Sequence, residues 1–166
     1  MNQDVLDTLL AKQAITEQLH HYCRAMDRID NELGKAVWHA DGTADFGELY
    51  RGTGAGWIEH VSRVHAASCL SHSHMVGNIL IKVSGHTAVS ETYVHAILLS
   101  DVDGKRLERN IRGRYLDRWS LRDGRWAIDH RKLLIDLSSS SEALGEGLLS
   151  QPWGCRDRRD PSYDYL

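Results

Sequence analysis

Two histidines stand two residues apart in Ser71-His72-Ser73-His74-Met75-Val76-Gly77-Asn78, which runs straight into Ile79-Leu80-Ile81-Lys82-Val83. In an extended chain alternate side chains share a face. His72, His74, Val76 and Asn78 are then expected on one side, with Ser71, Ser73, Met75 and Gly77 on the other. An imidazole entering an apolar face is costly unless it is hydrogen-bonded or used. Three uses fit. Either histidine can be structural, tied by a hydrogen bond. The pair can supply two metal ligands, with Glu91 or His95 as the third. Or one histidine can serve as a general acid or base, oriented by a carboxylate.

The candidate carboxylate is Asp27, in Arg24-Ala25-Met26-Asp27-Arg28-Ile29-Asp30, where a first helix is expected to end. The alternative is a solvated helix-end residue paired with Arg24 or Arg28, an arrangement of little consequence. Tyr22 stands five residues earlier. On an ideal helix that spacing separates the two by about 140°, so they converge only if the helix ends or distorts near Asp27, or if the tyrosine reaches across. Further along, Glu91, Tyr93 and His95 alternate on one expected strand face, and Arg112 and Arg114 on another. Arg131 alternates with Asp129 and Leu133. Each of these either lines a pocket or lies on an outer face, in solvent or between subunits.

Several elements must position these side chains. Asp4 to Met26 carries Val5, Leu9, Ile15, Leu19, Tyr22 and Met26 near helical spacing. Shorter helices are predicted over Asn31 to Trp38 and Gly56 to Ala67, with a strand at Ala44 to Tyr50 between them. From His72 the period becomes two. Strands are predicted over His72–Val83, Ala88–Asp101, Lys105–Arg122 and Arg125–Leu137. They are joined by Ser84-Gly85-His86, Asp103-Gly104 and Asp123-Gly124, of which the last two are strong hairpin signals. Ser138 to Ser141 reads as a linker. Helices followed by a meander indicate an α+β fold, with a curved, mostly antiparallel sheet around the N-terminal helix and a pocket between them. Proline is absent before Pro152, so residues 1–150 read as one domain and 151–166 as a tail that can cover the pocket.

The chain of 166 residues is long enough for a proper core, and its 42% hydrophobic and 26% charged content is that of an ordinary globular protein. A net charge of -3 gives no footprint for nucleic acid. No apolar run is long enough to cross a membrane, and the first residues lack a signal-peptide pattern. Cys23, Cys69 and Cys155 form no CxxC pair, which points to reduced thiols and a cytoplasmic location.

The order of these motifs has a resemblance. Tyr22-x4-Asp27, His74-Met-Val-Gly-Asn, Gly113-Arg-Tyr-x-Asp-Arg-Trp119, Asp123-Gly-Arg-Trp126 and His130-Arg131 together resemble the SnoaL-like branch of the nuclear transport factor 2-like superfamily. The nearest patterns are those of scytalone dehydratase, bile-acid 7α-dehydratase and hexachlorocyclohexane dehydrochlorinase, over about residues 4 to 137. The resemblance implies a cone-shaped α+β barrel and a cofactor-free lyase with a His–Asp dyad. By position Asp27 and His74 match the dyad. Tyr22 matches a tyrosine of the bile-acid enzyme, and Arg131 an active-site arginine of the dehydrochlorinase. The tyrosines that hold the carbonyl in scytalone dehydratase fall on Met26 and Phe46, its second histidine near Leu99, and its Ser and Asn near Gly113 and Tyr115. The proton-transfer groups are kept and the carbonyl clamp is not.

The resulting expectation is a lyase for a small hydroxylated aromatic or polycyclic compound, by dehydration or by carbon–carbon cleavage that releases a small aldehyde such as formaldehyde. His74, Asp27, Tyr22 and Arg131 are the expected catalytic residues. His72, Asn78, Glu91, Tyr93, Met26, Phe46 and Arg112 are expected to line the substrate site, with no metal and no cofactor. An isomerase or polyketide-cyclase type of enzyme, and a non-catalytic binding or assembly subunit, are the alternatives on the same fold. The resemblance also implies a homotrimer, with a dimer as the alternative.

Overall fold

Two Asp-Gly pairs set the longest stretch of the sheet. Asp103-Gly104 and Asp123-Gly124 all have positive φ, between 51° and 77°. That is the type I′ geometry that matches the twist of an antiparallel hairpin. The structure is a computed structural model and describes residues 2–143 and 154–166. In chain order the elements are α1 (Gln3–Arg28), α2 (Asn31–Ala36), β1 (Trp38–Asp45), β2 (Arg51–Thr53), α3 (Gly54–Ser68), β3 (Ser71–Ser84), β4 (Thr87–Val102), β5 (Lys105–Arg122) and β6 (Arg125–Glu142). A short 3₁₀ turn follows at Pro161–Asp164. The six strands form one curved, mixed sheet in the order β2-β1-β6-β5-β4-β3. β1 runs parallel to β6, and the other pairings are antiparallel. Three helices pack on it, and the predicted α+β cone is the fold found.

The concave face holds the core. Ile15, Leu19, Tyr22 and Met26 of α1, Trp57, Ile58 and Val61 of α3, and Val94, Tyr115, Trp119 and Ile128 of the sheet are all buried in one cluster. α1 contributes the i, i+4 and i+7 positions expected of an amphipathic helix. Asn2 caps it by accepting the Asp4 N–H at 3.1 Å. Thr53 does the same for α3 through the Gly56 N–H.

Some boundaries differ from the predicted ones. The strand expected at Ala44 to Tyr50 begins earlier, as β1. It stops at Asp45 because Gly47, at φ 63°, turns the chain back and the Phe46 N–H donates to the Tyr50 carbonyl. Ser138 to Ser141 are not a linker. They extend β6 and pair with Glu108 to Ile111 of β5. Backbone hydrogen bonding to a long partner strand outweighs the low strand preference of serine. The boundary drawn at residue 150, and Gln151-Pro152-Trp153, lie outside the described residues.

The alternation drawn along β3 holds for His72, His74 and Val76 and then breaks. Pairing with β4 shifts between Gly77 and Leu80, and Asn78 takes a left-handed φ of 47°. This bulge adds a residue and inverts the phase. Ile79, Ile81 and Val83 consequently pack on the core, while Asn78 is exposed. Asn78 turns the strand and does not line the concave side.

Candidate active site

The C-terminal end of α1 positions two consecutive groups against alternate residues of β3. Helix termini leave their last carbonyls without helical partners. The Met26 carbonyl is one of these, and His72 Nε2 lies 2.7 Å from it. The next residue, Asp27, projects its carboxylate at His74. Asp27 Oδ1 is 2.7 Å from His74 Nδ1, and Oδ2 accepts the His74 backbone N–H at 3.0 Å. One carboxylate thus grips both the ring and the main chain of the same residue. Nδ1 carries the proton toward Asp27, and Nε2 is left unprotonated, the tautomer a general base requires. The His74 side chain is 9% exposed and that of Asp27 16%. An open pocket of about 440 Å³ reaches both, walled by His20, Cys23, Arg24 and Arg28 and by the C-terminal Leu166.

Tyr22 lies one turn earlier on the inner face. α1 continues undistorted through Asp27 to Arg28, so the two side chains diverge as ideal geometry requires. Tyr22 hydrogen-bonds neither member of the pair. Its hydroxyl accepts the Trp57 Nε1–H at 2.8 Å, which leaves its own proton to donate. Burial holds its pKa above the ordinary phenol value. Cys23 beside it is a buried thiol pushed up to about 12 by desolvation, and hence unreactive.

Arg131 is fully buried and forms a two-pronged ion pair with Asp117, Nε to Oδ1 at 2.7 Å and Nη2 to Oδ2 at 2.8 Å. Its guanidinium lies between the rings of Tyr22 and Tyr115, 4.2 and 4.1 Å from their centroids. Burial alone pulls its pKa down, but the Asp117 carboxylate overrides this and the net direction is upward. Nη1 is buried without a hydrogen-bond partner. Met26 and Phe46 are buried, and Phe46 stacks on Trp57 at 3.7 Å.

The other expected lining residues fall elsewhere. The β4 residues facing the core are Ser90, Thr92, Val94 and Ala96. Glu91 and Tyr93 therefore project from the convex side, where Glu91 lies 3.7 Å from Arg114 and Tyr93 is 45% exposed. Arg112, opposite His95 in the ladder, is exposed on that same side. All three are corrections, and the cause is strand parity: their neighbours carry the apolar stripe.

Three side chains escaped sequence reasoning. Asp117 had a signal, since Gly113, Tyr115, Asp117 and Trp119 alternate and a lone acid in an inward stripe calls for a buried cation. Trp57 and His65 on α3 had none beyond helical spacing. His65 is 7% exposed, and its pKa is driven down to about 3, first by burial and then by His72 and His74. It is therefore neutral in the fold, while in the unfolded chain it protonates near the ordinary 6.5. Below about 6.5 the unfolded state binds the extra proton, so stability falls as pH drops, down to about 3. At pH 5 the loss from His65 is expected to be about 2 kcal/mol, and His72, also lowered by burial, adds to it. Urea midpoints from pH 7.5 to 5 check this, and a His65→Leu variant with an unchanged pH slope would contradict it.

Fold and site together define a nuclear transport factor 2-like α+β cone with a carboxylate–imidazole pair at the end of its first helix. The chain belongs to the SnoaL-like domain family, whose model matches residues 7–132. No curated protein matches the chain. Among solved structures, a hexachlorocyclohexane dehydrochlorinase of type 2 aligns with a TM-score of 0.78 at 16% identity, covering 88% of this chain and 99% of its own. A Novosphingobium aromaticivorans protein described as a candidate scytalone dehydratase aligns with a TM-score of 0.71 at 20% identity, covering 88% and 97%. A nuclear transport factor 2-like superfamily protein from Salmonella enterica aligns with a TM-score of 0.65 at 20% identity, covering 87% and 99%.

Proposed function

We propose that the protein is a cofactor-independent lyase for a small hydroxylated aromatic or polycyclic compound. The observation that carries this reading is the Asp27 grip on His74, one oxygen at Nδ1 and the other at the backbone N–H. A merely structural histidine needs one partner, and this arrangement additionally fixes the ring so that Nε2 is presented as a base. His74 Nε2 takes a proton from carbon or hydroxyl, and Asp27 stabilises the imidazolium so formed. The Tyr22 hydroxyl donates to the leaving group or the substrate oxygen, and Arg131 Nη1 offsets developing negative charge. The bond broken is C–O in a dehydration, or C–C with release of a small aldehyde such as formaldehyde. Relatives named as a dehydrochlorinase and as a candidate dehydratase on the same fold support an elimination.

The test is incubation with a panel of aryl alcohols and aryl-propanediols followed by mass spectrometry. A product lighter by one water or one formaldehyde is expected. Conversion at unchanged mass would instead make the protein an isomerase or cyclase, and no turnover across the panel would sink the enzymatic reading.

Three unpaired thiols, at Cys23, Cys69 and Cys155, support a cytoplasmic location. No described helix is long and apolar enough to cross a membrane. For assembly we propose a homotrimer through the convex side of the sheet. Met75, Leu80, Val89 and Tyr93 are 67%, 65%, 51% and 45% exposed there, and a groove of about 570 Å³ runs past Leu80, Val89 and Leu116. So much exposed apolar surface on one sheet face marks an interface. Light scattering is expected to return about three times the 18.8 kDa chain mass, and Leu80→Arg to reduce it. A monomeric wild type would refute the assembly.

A further inference from the structure

His65 enters the site from α3 and belongs to none of the motifs that singled out the dyad. Its ring centroid lies 4.4 Å from that of His72 and 6.0 Å from that of His74, and the latter two are 6.1 Å apart. Three imidazoles thus meet beside Asp27. No three His, Cys, Asp or Glu side chains among the described residues are placed to hold a metal ion.

Their nitrogens are unequally used. His74 Nδ1 is taken by Asp27. His72 Nε2 faces the Met26 carbonyl at 2.7 Å. A carbonyl oxygen can only accept, so Nε2 carries the proton and His72 Nδ1 is a bare lone pair. That Nδ1 is buried with no partner, and so is Nδ1 of His65. The two residues keep only 8% and 7% of their surface. One turn before His65, on the same side of α3, the buried Ser62 Oγ is also unpartnered. Buried polar atoms in native proteins are nearly always satisfied, and a local group of exceptions asks for a missing partner.

We propose that His65 and His72 form a hydroxyl-recognition subsite beside the dyad, in which a substrate O–H donates to His72 Nδ1 and the same oxygen accepts from the protonated Nδ1 of His65. The proposal rests on the lyase reading for the identity of the bound molecule as substrate. Both rings are buried, which disfavours their charged forms. The Met26 carbonyl leaves His72 a lone pair, and the subsite places His65 in the tautomer that offers an N–H at Nδ1. A neutral alcohol or phenol matches both. A carboxylate has no proton for His72, an ammonium has no lone pair for His65, and a hydrocarbon or halocarbon leaves both atoms unpaired. The site therefore selects a substrate that retains a hydroxyl next to the atom His74 deprotonates. Of the charges on this side, the Asp27 carboxylate is committed to His74, and Arg156 is committed through Nη1 to the His65 carbonyl at 2.9 Å.

The test uses the full chain labelled with ¹⁵N-histidine and four probes: 2-phenylethanol, ethylbenzene, phenylacetate and 2-phenylethylamine. In the wild type, 2-phenylethanol is expected to bind roughly tenfold more tightly than ethylbenzene, the net contribution of two buried hydrogen bonds at the low end of their range. It should also move the His72 Nδ1 resonance from the position of a free lone pair toward that of a hydrogen-bonded one. His72→Phe and His65→Phe, checked for folding by circular dichroism, should each abolish the preference for the alcohol, whereas His74→Ala should keep it. The wild-type comparison stands even if either Phe variant fails to fold. Equal binding of alcohol and hydrocarbon, no binding of 2-phenylethanol at its solubility limit, tighter binding of phenylacetate, or a His72 resonance that is already hydrogen-bonded and unmoved, as a resident water alone would make it, each overturns the subsite. The readout is binding, so it separates from the lyase reading. Alcohol selectivity without turnover keeps the subsite and removes the dyad chemistry, and turnover without selectivity does the reverse.

Discussion

His74→Ala is expected to lower kcat on the substrate found in the panel by about 10²–10⁴-fold, the loss of a positioned general base, with little change in the circular dichroism spectrum. Asp27→Asn tests the orientation of that base more sharply. The native carboxylate receives two donors from His74, the ring Nδ1–H and the backbone N–H. An amide has one oxygen and one NH₂, so it can satisfy only one of them. If the oxygen keeps the backbone N–H, the NH₂ faces Nδ1 and drives the proton to Nε2, which can no longer act as a base. If the oxygen keeps Nδ1–H, the main-chain donor loses its partner and the charge that stabilises the imidazolium is gone in either arrangement. A loss approaching that of His74→Ala is therefore expected, where a surface ion pair would give none. Pre-steady-state and steady-state rates on both variants decide it, and full activity in both would remove the dyad from the mechanism.

The second large effect is on stability. Asp117→Leu strands the Arg131 guanidinium in a core that leaves it 0% exposed. Breaking one side of a buried ion pair typically costs about 3–5 kcal/mol. For a chain of this size that corresponds to a fall in Tm of roughly 10 °C or more. The double variant Asp117→Leu/Arg131→Met is expected to regain most of the loss, because the pair itself offsets its desolvation only in part. If Arg131 also serves the reaction, the rescued double variant folds but stays slow. Calorimetry and kcat on the three variants separate the roles. A double variant no more stable than the single one would show that the pair is held by more than charge neutralisation.

The site was legible in the sequence where a rule of period or end geometry applied. His72 and His74 on one face of β3 follow from a period of two. Asp27 at the close of a helix followed from the apolar spacing up to Met26. The hairpins at Asp103-Gly104 and Asp123-Gly124 follow from the positive φ that Asn, Asp and Gly tolerate. Where parity had to be carried through an irregularity, reasoning along the chain failed. One extra residue at Gly77-Asn78 sent Asn78 outward. Glu91, Tyr93 and Arg112 were placed by their chemistry, although the apolar stripes of Thr92, Val94 and Tyr115 assign them to the convex side. The serines after Leu137 were read by propensity, but a long partner strand decided their conformation.

While the cone shape was what the family resemblance implied, the pattern of residue types alone determined an α+β fold with a curved sheet around the first helix, the strand carrying two imidazoles and the candidate carboxylate. These are consequences of local periodicity, which each segment carries within itself. The family resemblance had already paired Asp27 with His74, and packing supplied the two-point grip between them. Packing alone decided that Arg131 is bound to Asp117 before it meets any ligand, and that His65 joins the imidazoles from another helix. Those relations connect residues 7 to 47 positions apart in the chain. Their energies come from burial and from hydrogen bonds whose partners are unknown until the sheet has closed over the helix.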